Sequence, residues 1–427
     1  MKILLIRPSM INLSFIQDLT IRLTEYPTSS TFPILASLTP KEHTIEILDG
    51  TSSDVNYNDT YDLVGISAVT QEANKTYEIA DEFRKRGVKV VIGGWHASSL
   101  PNEAKGHADS VLIGEAEDTW PILLRDMENG KLKQFYEQKC PVDLLKIPKL
   151  RKDIYPSYSN VGVYATRGCI FNCEFCSIAN QKFRGKYRKR PVKDVIDEIR
   201  NHSNKIFYFF DNSLTVDPKY SKQLFRELKE IDKEFYAFGN IDILGRDEEF
   251  LRLAQEAGCS GWIIGFESIV QKSLDSVNKK NKADNYLSSV KKIHDYGMRI
   301  EGSFIFGFDF DTKEVFDETI NFFKKSEIDF PNCRVLTPFP GTPIFDKFEK
   351  EGRIFSKDWS LYNYYNVVFK PKNMTPEELQ DGWARVMDEF HSAFNFLKSL
   401  LNKRDQNIFS LINKFIIHEF YWKKYNL

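Results

Sequence analysis

Three cysteines, Cys169, Cys173 and Cys176, fall within eight residues in the segment "TRGCIFNCEFC". On a helix, offsets of four and seven would put all three on one face, where buried thiols act as small hydrophobes. Gly168 directly before the run, and Thr166–Arg167–Gly168 as a poor helix interior, favour a loop instead. A structural zinc site wants four ligands, usually in paired C-x2-C units. Only one such pair is present, and Cys140, Cys259 and Cys333 stand isolated. Three thiolates suit a [4Fe–4S] cluster that leaves one iron open to a non-protein ligand, because thiolates hold the soft iron–sulfur core.

The loop has to be held by what flanks it. From residue 161 to about 340, short apolar runs alternate with amphipathic ones. The expected strands are Val161–Thr166, Lys205–Asp211, Glu234–Asn240, Gly261–Phe266, Arg299–Phe306 and Asn332–Leu336. The expected helices are Val192–His202, Pro218–Ile231, Asp247–Ala257, Asn285–Tyr296 and Lys313–Lys325. Six strands with intervening helices predict a parallel sheet, open or curved into a partial barrel, with its site at the strand C-terminal ends. The cysteines follow the first of these strands.

Upstream, "KILLIR", "HTIEIL", "DLVGIS", "KVVIGG" and "SVLIGE" read as buried parallel strands, each closed by a polar or glycine-containing turn. "QEANKTYEIADEFRKRG" between them has helical periodicity and a terminal Gly. This doubly wound pattern spans residues 1–140 and places its ligands beyond the strand ends. Residues 141–160, with three prolines and no period, read as a linker between it and the domain at 161–345. Residues 346–427 start irregular and aromatic ("DWSLYNYYNVVF"). A helix capped by Thr375 and Pro376 follows, then an apolar, basic tail that leaves peripheral membrane contact open.

The chain has 427 residues, with 59 Lys and Arg against 60 Asp and Glu, a balance that gives no support to a nucleic-acid binder. No run reaches the length of a membrane span, and six scattered cysteines make no disulfide framework, so the expected compartment is a reducing cytoplasm. The basic stretch Lys182, Arg184, Lys186, Arg188, Lys189 and Arg190 reads as a solvated loop or a cofactor-edge contact.

The cysteine spacing after the first strand of a partial barrel resembles the radical S-adenosylmethionine (SAM) superfamily. The resemblance implies that the open iron binds the amino and carboxylate groups of SAM and that Phe175 contacts adenine. "FYFFDNS" (Phe207–Ser213) makes Asp211 and Asn212 candidates near the aminocarboxylate. "GWIIGFES" (Gly261–Ser268) is similar to the family's G-x-I-x-G-x-x-E region and adds Glu267 and Ser268, although Glu267 falls one residue early. "FIFGFD" and "LTPFPGTP" resemble the last strands of such barrels. Residues 64–120 resemble the cobalamin-binding domain joined to many of these enzymes. The implied cofactor contacts are Ser67, Thr70, Gly93, Gly94, His96, Gly114 and Glu115. The D-x-H-x-x-G motif of other corrinoid proteins is absent, so His96 is not read as a cobalt ligand. "VVFKPKNMTPEEL" and "EGRIFSKDWSLY" resemble an extension found in cobalamin-dependent members.

The resemblance therefore implies a Rossmann-like cobalamin-binding domain, a partial (β/α)6 TIM-type barrel and a mainly helical C-terminal extension. It implies a [4Fe–4S] cluster, SAM and cobalamin as cofactors, and methylation of an unactivated carbon in an apolar small molecule, lipid or peptide. An external electron donor such as flavodoxin or ferredoxin would serve the cluster. Non-methylating radical cyclisation, rearrangement or coupling is the alternative. A corrinoid or electron carrier fits less well, because a pure carrier closes its cluster with a fourth ligand.

Overall fold

Short aliphatic runs bounded by polar turns build two parallel sheets, each with helices against it. The computed structural model describes residues 1–8, 30–49, 55–151, 162–180, 185–202 and 204–391. The first sheet comprises β1 (Lys2–Arg7), β2 (Thr44–Asp49), β3 (Leu63–Ser67), β4 (Lys89–Gly93), β5 (Ser110–Ile113) and β6 (Phe135–Glu137). Its order is β2-β1-β3-β4-β5-β6, and every pairing is parallel. Alternation along β1 sends Ile3 and Leu5 to one core cluster and Leu4 and Ile6 to another, so both faces are covered. The helix Ala73–Lys85 buries Ala73, Thr76, Tyr77, Ala80 and Phe83 along one stripe and stops before Gly87, whose φ is 79°. The strand order reverses at β1, with β2 on one side and β3 to β6 on the other, and the gap between β1 and β3 is the switch point where doubly wound sheets open a ligand crevice.

Sequence patterning missed β6. It has three residues, of which only Tyr136 is buried, too short for a visible alternation. Of the expected linker, residues 152–160 lie outside the described residues, and the rest is no free tether. Val142 and Leu144 are buried, and the Arg151 N–H donates to Ser37 Oγ at 2.7 Å.

The cysteine segment opens from β7 (Thr166–Arg167), which pairs antiparallel with β8 (Arg188–Lys189). The second sheet follows, with β9 (Ile206–Phe209), β10 (Glu234–Gly239), β11 (Cys259–Glu267), β12 (Arg299–Phe306) and β13 (Phe330–Val335) in the order β13-β12-β11-β10-β9, all parallel. The sixth strand expected at 161–166 begins outside the described residues and survives as one parallel bridge, Val163 to Phe209. The ladder ends there because a side chain takes over the backbone donors. The Asp211 carboxylate accepts from the N–H groups of Ala165 (3.1 Å) and Thr166 (2.5 Å). Helices Val192–Arg200, Pro218–Leu228, Glu248–Glu256, Tyr286–Asp295 and Glu314–Ser326 cover one face of this sheet. Phe207, Phe209, Phe235 and Trp262 point into that layer, which accounts for much of the aromatic content as core.

The last described helix is Pro376–His391. Thr375 caps it as expected: its Oγ1 accepts from the Glu378 N–H at 3.2 Å, and Glu378 returns a 2.8 Å bond to the Thr375 N–H. The tail from 392 lies outside the described residues. Aromatics of the segment before the helix pack against the first sheet. Trp359 and Tyr362 are buried in the core of the first sheet, and Trp359 Nε1 donates to Glu103 at 2.9 Å.

Candidate active site

Gly168 sets the entry to the cysteine loop. Its φ of 84° lies in the left-handed region, and a Cβ there would meet the Lys186 carbonyl oxygen at 2.2 Å. A side chain is thus excluded by backbone conformation and by space. Cys169 N–H donates to the Gly185 carbonyl (3.1 Å), and Asn180 Nδ2 donates to the carbonyls of Cys173 (3.0 Å) and Cys176 (2.7 Å). The loop is tied to the second sheet's top by Glu174 N–H on the Val277 carbonyl (3.0 Å) and Asn278 Nδ2 on that of Asn172 (3.0 Å).

All three thiols are free, and burial pushes each up, Cys173 to about 12. Such thiols stay protonated until a metal displaces the proton. Among the described residues, no three His, Cys, Asp or Glu side chains converge as ligands of a single metal ion. A cubane does not demand that convergence, since each thiolate bonds a different iron. The donor set therefore fits an iron–sulfur cluster better than the zinc alternative.

Facing the cysteines, β11 carries a bulge: Gly265 and Glu267 oppose consecutive residues of β12, leaving Phe266 extra. Glu267 is buried in a left-handed conformation (φ 67°), a strain of about 1–3 kcal/mol of the kind that collects at functional sites. Its Oε1 accepts from Lys279 Nζ at 2.9 Å. Burial works against the Lys279 charge, but the Glu267 carboxylate outweighs it and holds the ammonium charged. Sequence reading missed Lys279; its signal was a basic residue in "SVNKKN" twelve positions after Glu267. Ser268 is buried, and its Oγ accepts from the Val270 N–H at 3.0 Å, closing the turn. Phe175 is half-buried against Phe308, with ring centroids 5.9 Å apart.

Asp211 is fully buried and spent on the chain itself. Besides the two backbone donors it accepts from Thr166 Oγ1 at 2.5 Å, and burial still pushes it up to about 6. It positions the strand leading into Gly168. Asn212 lies beside it on the wall of a cavity.

That cavity, of about 440 Å³, lies between the two sheets. Ser67, Gly93, Gly94, Trp95, Gly114 and Glu115 wall it from the first sheet, and Tyr164, Arg167, Gly168, Phe210 and Asn212 wall it from the second. Two of these glycines serve the chain as well. Gly94 and Gly114 both have φ 97°, and a Cβ would meet the Ala68 carbonyl oxygen or Gln138 Oε1 at 2.5 Å. Thr70 and His96 do not line the cavity. Thr70 is buried in the turn before the helix Ala73–Lys85. His96 Nε2 meets Glu103 at 3.1 Å, and its ring lies edge-on to Trp359 at 5.2 Å, tying the C-terminal extension to the first sheet.

Glu115 joins the two halves. It meets Arg188 at 2.6 and 3.0 Å and Arg167 at 3.2 Å, while Arg167 also pairs with Glu117 at 2.5 Å. Burial works against the Arg167 charge, and Glu117 and Glu115 overcome it. Within the basic stretch, Arg188, Lys189 and Arg190 each hold an internal carboxylate, and Lys182 and Arg184 lie outside the described residues.

Two sequence families match this arrangement. The Radical SAM superfamily matches residues 163–323, and the B12 binding domain matches residues 39–124. Bacteriochlorophyllide d C-8(2)-methyltransferase of Chlorobaculum tepidum is 36% identical over 392 residues, 86% of each chain. The chain belongs to the cobalamin-dependent radical SAM family. Bacteriochlorophyllide d C-12(1)-methyltransferase of the same organism is 32% identical over 87% of this chain and 84% of that one. In fold, the chain is similar to the radical SAM methyltransferase TsrM from Kitasatospora setae with cobalamin and [4Fe–4S] cluster bound, at TM-score 0.67 and 15% identity, covering 95% of this chain and 90% of that one. As a member of this family, the enzyme uses a [4Fe–4S] cluster, SAM and cobalamin.

Proposed function

We propose that this enzyme methylates an unactivated carbon of a chlorin-type tetrapyrrole. The observation that carries the reading is the single cavity bounded by the strand ends of the B12-binding domain and by the entry to the cysteine loop. The relatives' action on bacteriochlorophyllide d supplies the substrate class. When bound, the cluster supplies the electron that cleaves one SAM, and cobalamin carries a methyl group from another.

The chain's own residues bind and orient. Cys169, Cys173 and Cys176 hold the cluster, and Asn180 fixes the carbonyls between them. Glu267, Lys279 and Phe175 flank the cysteines where an aminocarboxylate and an adenine would bind, with Ser268 and Asp211 fixing the backbone around them. Ser67, Gly93, Gly94 and Gly114 give cobalamin a close backbone approach, and Trp95 with Phe210 excludes water from the cavity. A low-potential donor such as flavodoxin or ferredoxin would deliver the electron. The free thiols suit a reducing cytoplasm. Among the described residues, no helix is long and apolar enough to cross a membrane.

The test is anaerobic incubation of the reconstituted enzyme with methyl-deuterated SAM, a reductant and a bacteriochlorophyllide lacking the added methyl. A product bearing the labelled methyl supports the reading. SAM cleavage with an unchanged carbon count in the product would move the enzyme to radical cyclisation or rearrangement.

A further inference from the structure

The face of the second sheet turned away from its helices carries a guanidinium that meets no carboxylate among the described residues. Along β13, Cys333 and Val335 pack toward the helices, and Trp383 Nε1 donates to the Cys333 carbonyl at 3.0 Å. Pleating therefore turns Asn332 and Arg334 to the other face, beside Glu301 and Ser303 of β12. Arg334 Nε donates to Asn332 Oδ1 at 3.3 Å, and Asn332 Nδ2 donates to Glu301 Oε1 at 3.3 Å. The guanidinium carbon sits 4.5 Å from the centre of the Tyr364 ring.

Tyr364 is itself unusual. Its φ is 72°, and its carbonyl accepts from the Val335 N–H at 2.8 Å, which fixes the ring over the end of β13. It lies deep in the molecule, where burial pushes the phenol up and Cys176 is near enough to add to the effect. Yet 36% of its surface is open. Among the described residues, Arg167, Arg188, Arg190 and Arg353 each pair with a carboxylate, whereas Arg334 pairs with none.

A half-buried cation with no counter-ion is costly to keep, and a guanidinium on a rigid strand presents the fork that matches a planar carboxylate.

We propose that Arg334, braced by Asn332 and backed by the Tyr364 ring, receives a side-chain carboxylate of the tetrapyrrole substrate. This rests on the tetrapyrrole reading above and adds a specificity determinant to it: a free acid is taken and its ester refused. The bidentate contact makes the acid bind about tenfold more tightly than the ester.

The test uses the cofactor-loaded enzyme and two fluorescent probes, pheophorbide a and its methyl ester, which differ only in that carboxylate. The wild type binds the acid about tenfold more tightly than the ester. Arg334→Gln loses about tenfold for the acid and leaves the ester and SAM within about twofold, while Arg334→Lys, a point charge without the fork, retains part of the preference. Three results overturn the proposal: equal loss for acid and ester, no preference in the wild type (binding of neither probe included), or loss confined to SAM, which would assign the guanidinium to the SAM carboxylate. SAM cleavage on the same samples reads the radical SAM function separately, so it stands or falls independently of the probe result.

Discussion

Replacing Glu115 by alanine tests how the two halves of the active site are held in register. Glu115 is 5% exposed at its side chain and meets Arg188 and Arg167, each 13% exposed. Its removal leaves Arg188 with the Val142 and Lys186 carbonyls, both at 3.1 Å, and no carboxylate. Arg167 keeps Glu117, so only one cation of the two is stranded. Breaking a buried pair from one side costs about 3–5 kcal/mol, and the surviving Glu117 contact puts the expected loss near about 3 kcal/mol. Part of that belongs to Gln138, whose Nε2 also meets Glu115 at 3.1 Å. A double-mutant cycle of Glu115→Ala with Arg188→Met, followed by urea unfolding of the apo-protein under reducing conditions, isolates the pair. The expected coupling is about 1.5–3 kcal/mol. A coupling below about 0.5 kcal/mol would refute the claim that this pair fastens the cysteine hairpin to the first sheet.

Gly168→Ala forces a Cβ against the Lys186 carbonyl at a left-handed φ; it should cost more than about 1–2 kcal/mol and lower the iron retained after reconstitution, read by thermal unfolding and metal analysis. Asp309 predicts an acid-side effect. Burial would raise it, but Lys347, Lys372 and Arg353 bring it down to about 2 from an ordinary 3.8. Because the folded value is the lower one, its contribution is complete above pH 3.8 and lost as pH falls through about 2. With solvent reaching both lysines, that contribution is about 1–2 kcal/mol. Asp309→Asn should flatten stability over that window and leave other acid-side slopes intact, as seen by unfolding at successive pH values. Thr375→Ala removes one cap bond and should cost about 1 kcal/mol, with faster amide exchange at Glu378.

The cysteine spacing, the preceding glycine and the alternating strands were legible because each depends on residues close in sequence. The two sheets and most helices appear within a residue or two of the expected ranges. What stayed hidden depends on distant partners. The ladder from Val163 stops at the Asp211 carboxylate, 46 residues away from Ala165, and no local pattern announces that capture. Glu115 was legible as a cavity-edge residue but not as the partner of Arg188, 73 residues on. Thr70 and His96 stand in sequence among glycines that line the cavity, yet neither of their side chains does. Lys279 was overlooked because a lysine clustered with others, here Lys280 and Lys282, usually faces solvent, whereas this one is folded back onto Glu267 and the thiols.

The central claim is methyl transfer by a cobalamin-dependent radical SAM enzyme, and product stoichiometry tests it most directly. With anaerobically reconstituted enzyme, reductant and a bacteriochlorophyllide acceptor, the measurement is the yield of S-adenosylhomocysteine and 5′-deoxyadenosine against methylated product. The account predicts that all three accumulate together in equal amounts and that Cys173→Ala yields no 5′-deoxyadenosine. Methylated product without 5′-deoxyadenosine, or cleavage that survives Cys173→Ala, would contradict it.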